Sequence, residues 1–269
     1  MRTVLCHFYN EEYLLPWWLK HHRGIFNHGI MINHGSTDRS VEIIRDLTPT
    51  WQLVNSTLTH FDPFLTDFEV MQYERHVPGW KIALNVTEFL MTTMPLHLIE
   101  KKITEMELKG FSLSGFIMVD ATPNTSYDKD IPLPLHCTHG IDDNVILDKI
   151  ERINMGLPHK AYRNRFYHCD ELGRYMPGRH QSYHPHSNVR LCEAMVFYFA
   201  NAPWNDEMKR RKLQIRSKIK TDEISHDWGL NHLQSLDFYE KEFLKLNAHS
   251  MDLRTHVYAG PGIAACCLY

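Results

Sequence analysis

Apolar residues recur along this chain in two rhythms that take turns. Thr3–Phe8, Gly29–Asn33 and Trp51–Ser56 are short apolar runs with little alternation, the pattern of strands buried on both faces. Between the first two, Leu15, Trp18, Leu19, His22, Ile25 and Phe26 return at helical spacing. Asn10 is placed to cap that helix, and Pro16 lies in its first turn, where a missing N–H is tolerated. Val41, Ile44 and Leu47 mark a second helix that begins at Ser36 or Asp38 and stops before Pro49. Further strands are predicted at Lys81–Asn85 and Gly115–Asp120, with a helix over Leu96–Lys109 between them. Pro, Gly and His then punctuate residues 120–190, and helices over Trp204–Lys218 and Leu236–Leu246 follow.

Strand, helix and strand in repeated succession predict an α/β fold, a mostly parallel sheet flanked by helices. Ligands of such sheets bind beyond the carboxyl ends of the strands. Four such ends are polar here: Phe8–Glu12, Asn33–Asp38, Asn85–Glu88 and Asp120–Asn124. Length and apolar content fit a single domain over 1–269, with a ligand-binding half (1–120) and a loop-rich half with C-terminal helices (121–269).

Composition narrows the class. A net charge of −3 excludes a molecule that binds nucleic acid through its overall field. No apolar stretch reaches the ~20 residues of a membrane span, and Asn10-Glu11-Glu12 interrupts the N-terminus before a signal core could form. Six scattered cysteines without CxxC spacing fit reduced thiols in a cytoplasmic setting. Nineteen histidines invite a metal reading, yet none falls in HExxH spacing.

Two strand-end segments carry a resemblance. Phe8-Tyr9-Asn10-Glu11-Glu12 and Asn33-His34-Gly35-Ser36-Thr37-Asp38-Arg39-Ser40 resemble the paired turns of family-2-type glycosyltransferases with the GT-A fold. Block order and spacing look closest to the stand-alone, single-domain relatives of bacteria, algae and large DNA viruses, over about residues 3–233. The resemblance implies transfer of a sugar from a nucleotide-diphospho-sugar, UDP-linked donors first among them, to a glycan, glycoprotein or other hydroxyl acceptor with inversion. In that likeness Phe8, Tyr9, Asn10 and Glu11 hold the nucleoside, Asn33 reads the base and Asp38 shapes the second turn.

Trp80 to Leu90 resembles the segment in which the family's DxD acids hold Mn²⁺ or Mg²⁺ against the donor diphosphate. Here Asn85 and Thr87 stand where the acids would be, and Glu88 is the remaining charge. The resemblance implies a weak metal site of Asn85, Glu88 and His180, filled together with the donor. Arg163, Arg165 and Arg179 sit in a block resembling the family's R-x-R and GRH elements and are candidate diphosphate contacts. Gly140-Ile141-Asp142-Asp143 is similar to the family's base-supplying element, which makes Asp143 the first candidate base, then Asp142, then Asp120 at its strand end.

Seven basic residues between Lys209 and Lys220 form a cluster of their own. Trp204, Met208, Ile215 and Ile219 give that stretch a helical apolar face, which predicts a solvated basic face opposite. Gly229 to His232 resembles a further family element. Two other readings stand beside the transferase: a catalytically degenerate relative that binds a nucleotide sugar or glycan without turnover, and an interaction protein built on the basic helix.

Overall fold

The computed structural model describes residues 1–144, 149–157, 163–219 and 230–266. Its first strands are β1 (Arg2–Phe8), β2 (His28–Asn33), β3 (Gln52–Asn55) and β4 (Trp80–Ala83). They lie parallel in the order β3-β2-β1-β4, joined through α1 (Leu15–His22), α2 (Ser40–Leu47) and α3 (Pro63–Glu74). Val4, Leu5 and Cys6 are fully buried, which is why this run lacks alternation. On α1, Trp17, Trp18 and Leu19 face the core, and the Trp18 indole N–H donates to the Glu88 carbonyl at 2.9 Å.

The chain continues through β5 (Glu88–Thr92), α4 (Leu96–Glu105), β6 (Gly110–Val119), α5 (Leu133–His136), β7 (His139–Asp142), α6 (Lys149–Asn154), β8 (Arg165–His168) and β9 (Arg190–Asn201). Then come α7 (Asp206–Gln214), a short 3₁₀ turn (Ile215–Lys218), α8 (Leu236–His249), β10 (Met251–Asp252) and α9 (Ala259–Ala265). β8 inserts antiparallel between β4 and β6, so the run of parallel neighbours that starts at β3 ends at β4. β9 runs parallel to β6 and antiparallel to β5. A single sheet therefore runs through both halves of the chain.

The expected strands and helices before residue 120 are present, with α3 and β5 in addition. Asn10 does not cap α1. It has φ 51, and its side chain instead accepts from Thr37 N–H at 2.8 Å, so α1 starts at Leu15 without a side-chain cap. Residues 120–190 hold short elements between long loops, as the Pro and Gly content predicts. Trp204 and Phe243 stack at 4.6 Å and pin α8 to the segment before α7. Among the described residues, no helix is long and apolar enough to cross a membrane.

Candidate functional site

Beyond the carboxyl ends of β1, β2 and β4 lies a cleft of about 560 Å³. His7, Phe8, Tyr9 and Glu11 reach it from the end of β1, His34 from β2, and Asn85 and Thr87 from β4. Ala200 and Asn201 come from the end of β9. The opposite wall is C-terminal: Arg211, Lys212 and Gln214 of α7, and Tyr239 and Glu242 of α8. Another cavity, about 690 Å³, lies between α1 and the loops at 47–51 and 129–132. Its Arg2 and Lys20 are paired with Glu100 and Asp130, and no strand end opens into it.

The turns after β1 and β2 are tied to one another. Asn10 N–H donates to Ser36 Oγ at 3.0 Å, and Glu12 N–H donates to Asp38 Oδ2 at 3.0 Å. Asp38 Oδ1 accepts from Ser40 N–H, and Asn33 Oδ1 accepts from Ser36 N–H. Asn33 Nδ2 then reaches Asn55 at 3.3 Å. Asn10, Asn33 and Asp38 thus shape the turns and do not line the cleft. Phe8, Tyr9 and Glu11 do line it, with the Tyr9 ring beneath Lys218 Nζ at 4.8 Å. The Glu11 carboxylate takes two bonds from Arg211, at 2.6 and 2.5 Å. Burial raises its pKa, although Arg211 pulls the other way.

In this wall the structure leaves Asn201 Oδ1 and both ring nitrogens of His34 without a hydrogen-bond partner. His34 is 2% exposed. Burial, helped by neighbouring His7 at 5.0 Å, lowers its pKa to about 4. The ring is therefore neutral, with one N–H and one lone pair to offer a ligand. The sequence reading passed over it, although a histidine directly after the second strand was visible there.

At the β4 end the residues expected to hold a metal hold each other. Arg165 Nε donates to Glu88 Oε2 at 2.7 Å, and Arg165 Nη2 donates to Oε1. Asn85 adds its N–H to Oε2 at 2.7 Å and its Nδ2 to Oε1 at 3.2 Å. Arg179 bonds Asp67 and Asn85 Oδ1. His180 Nδ1 lies 2.6 Å from Arg165 Nη1, and a guanidinium can only donate, so Nδ1 is the acceptor and Nε2 carries the hydrogen. Burial, then Arg165, pushes the His180 pKa well down. The donor set does not fit a divalent cation: the carboxylate is saturated, the amide oxygen is taken and neither imidazole nitrogen is open. Among the described residues no three His, Cys, Asp or Glu side chains could share a metal ion. In the free protein Asn85, Glu88 and His180 are therefore engaged with one another and with Arg165 and Arg179.

Of the three candidate arginines, Arg165 and Arg179 are buried and neutralised by Glu88 and Asp67. Arg163 alone among them lines the cleft, its guanidinium 4.7 Å from the Tyr198 ring centre. Its Nε is buried without a hydrogen-bond partner. Lys212 lies over the rings of Tyr239 (4.7 Å) and Trp204 (5.6 Å). Arg211 and Lys212 thus turn toward the cleft, where the sequence predicted a solvated face. Lys220 and Gly229 of the basic and C-terminal segments lie outside the described residues.

The candidate bases do not reach the cleft. Asp143 is fully buried, accepts from Arg152 Nη2 at 2.7 Å and from Arg163 N–H at 2.8 Å. Asp142 accepts from Asn144 N–H at 2.8 Å. Asp120 accepts from Trp204 N–H, Thr122 N–H and the Tyr127 hydroxyl, all within 2.9 Å. All three organise loops, because each terminates a strand whose following turn needs an acceptor. Glu242, half-buried on α8, is a cleft carboxylate that sequence reasoning missed. Nothing in its local sequence distinguishes it from the other acids of that helix.

No protein-family model matches this chain, and no curated protein matches it. Among solved structures it is similar to S. aureus TarS 1-349, at 11% identity and a TM-score of 0.40 over 95% of this chain and 73% of that one. The same protein in complex with UDP-GlcNAc aligns over 47% of this chain and 36% of that one, at 13% identity and a TM-score of 0.30. A glucosyl-3-phosphoglycerate synthase from Mycobacterium tuberculosis, in complex with Mn²⁺, UDP and glucosyl-3-phosphoglycerate, aligns over 63% of this chain and 56% of that one, at 10% identity and a TM-score of 0.35. The chain thus spans about a third of the first of these TarS complexes. Superpositions this loose bear on no single residue, and the chemistry of the cleft stands on its own side chains.

Proposed function

We propose that this protein is a glycosyltransferase that moves a sugar from a nucleotide-diphospho-sugar, UDP-linked, to a hydroxyl of a glycan or other acceptor, with inversion. The observation that carries the reading is the cleft itself. It opens where parallel strands end, with aromatic and neutral imidazole groups on its β1–β2 side, and with Lys212 of α7 and Arg163 before β8 lining it without an ion pair among the described residues. Tyr9 and His34 suit a nucleoside, and Arg163 and Lys212 suit the phosphates attached to it.

In the reaction the acceptor oxygen bonds to the anomeric carbon on the face opposite the diphosphate. The bond from that carbon to the β-phosphoryl oxygen breaks, and its electron pair leaves with the nucleotide. The acceptor proton passes to a carboxylate. Glu242 takes that role in this reading, since Asp120, Asp142 and Asp143 are held by backbone and arginine partners. His180 contributes Nε2–H as a donor toward the cleft.

The same engagement of the three aspartates favours a second reading, a protein that binds a nucleotide sugar without transferring it. A panel of sugar nucleotides separates the two. Binding of a UDP-sugar with slow release of UDP, lost in Glu242→Gln, supports the transferase. Binding with no release, under any acceptor tried, supports the binder. Absence of binding for every nucleotide and sugar nucleotide overturns both.

A further inference from the structure

We infer that the charge of the departing diphosphate is met in this cleft by Arg163 and Lys212, and that no divalent cation takes part at Glu88. The inference rests on the proposed donor class and adds how its leaving group is stabilised.

The first part of the argument is the state of the β4 end. Glu88 receives four donors, two from Arg165 and two from Asn85, which uses the roughly four lone-pair directions of a carboxylate. A cation entering there would have to displace a guanidinium buried to 1% exposure and leave it without its counter-charge. Arg165 thus occupies, as a fixed positive charge, the place that a metal would need. Its charge is cancelled by Glu88, however, and Arg179 is cancelled by Asp67, so neither has a net charge to offer a phosphate.

The second part is where uncancelled charge lies. Among the described residues, Arg163 and Lys212 line the cleft and make no ion pair with a carboxylate. Together they carry two positive charges, as one divalent cation would. Both are held against aromatic faces, Arg163 on Tyr198 and Lys212 between Trp204 and Tyr239, so they are positioned before any anion arrives. Arg163 is placed by its backbone as well: its N–H is bonded to Asp143, and its carbonyl rests on Gly115, where an added Cβ would lie 2.0 Å from it. When the sugar–phosphate bond breaks, the electron pair gathers on the β-phosphoryl oxygen, and these two side chains supply the compensation.

Lys212 also has a signature. Burial lowers its pKa to about 8, with Arg211 and Arg163 adding to the effect and Glu242 opposing it. Among the described residues, Tyr239 on α8, His232 in the turn before it and Lys209, which shares the Trp204 ring, are the other titratable groups beside it. Protonated Lys212 binds an anion and neutral Lys212 does not. Affinity carried by this group is therefore full below pH 8 and declines as pH rises through about 8.

The test is UDP binding to the full chain by calorimetry, in excess EDTA and again with Mn²⁺, alongside inorganic pyrophosphate as a probe without a nucleoside. UDP and pyrophosphate are expected to bind in EDTA with affinities that Mn²⁺ changes less than about threefold. Arg163→Met and Lys212→Met each lower UDP affinity at least tenfold. Lys212→Arg retains binding and removes the decline near pH 8, because arginine stays protonated. Binding of UDP only when Mn²⁺ is present overturns the inference while leaving the proposed donor class intact. Failure of UDP and UDP-sugars to bind under either condition overturns the donor class itself. An unchanged pH profile in Lys212→Arg would also overturn the role given to Lys212.

Discussion

Replacing Glu88 with alanine distinguishes a metal ligand from the counter-charge of Arg165. If Glu88 were a ligand, its loss would leave the free protein as stable as before and weaken only metal binding. In the structure its side chain is 2% exposed and that of Arg165 1%. Truncating it leaves a buried guanidinium with the Asn164 carbonyl, 2.9 Å from Nη1, and His180 Nδ1 as its remaining partners. Breaking one side of such a pair costs about 3–5 kcal/mol. Part of that figure is the unsatisfied Asn85 N–H, a group worth about 1–3 kcal/mol when left buried without an acceptor. For a chain of this length the loss corresponds to a fall in Tm of about 6–10 °C, at roughly 2 °C per kcal/mol. The double variant Glu88→Met, Arg165→Met removes both charges and should recover most of it, since replacing a buried pair with apolar side chains is often neutral. Urea unfolding of wild type, Glu88→Met, Arg165→Met and the double variant closes the cycle. A Glu88→Ala variant within about 1 kcal/mol of wild type, the range of an exposed pair, would refute the ion-pair account and reopen Glu88 as a ligand.

Three further outcomes follow from the same coordinates. Asp143→Asn, which weakens the bond to Arg152 but keeps a side-chain oxygen to accept the Arg163 N–H, should lower stability by about 3 kcal/mol while UDP affinity stays within about twofold; a loss of turnover at full stability would return Asp143 to the catalytic role. His34→Leu removes two buried nitrogens without partners, so the free protein should gain about 1 kcal/mol while UDP affinity falls, and thermal melts and titration moving the same way would refute it. Gly115→Ala places a Cβ against the Arg163 carbonyl and should cost about 1–3 kcal/mol and weaken pyrophosphate binding, an expectation that fails if both measurements match wild type.

The parallel half of the sheet was legible because each strand is an apolar run and each helix an apolar stripe, with no long-range pairing needed to see them. The turns after β1 and β2 were legible too, though the roles inside them were not. Asn10 and Asn33 read as ligand groups, yet together with Asp38, which reads as a turn-shaping residue, they tie the two turns to each other, since the backbone N–H groups there need acceptors. β8 was missed because Arg165, fully buried, breaks the apolar pattern that marks a strand. Its partner Glu88 lies 77 residues away, a separation that no local pattern encodes. For the same reason the basic helix was read as solvated: the direction of Arg211 is decided by Glu11, 200 residues earlier.

That last pairing has a consequence during synthesis. The cleft is walled by residues from His7 to Glu242, and Glu11 reaches across it to Arg211. A ribosome making this chain releases the strand ends of β1, β2 and β4 long before α7 and α8 exist to cover them. A nascent chain truncated after β9 would carry the strand-end turns but neither Lys212 nor Glu242, and would leave Glu11 without its arginine. In the proposed reading, donor binding therefore begins only once α8 has emerged, and a ligand of the cleft cannot stabilise the nascent chain before that.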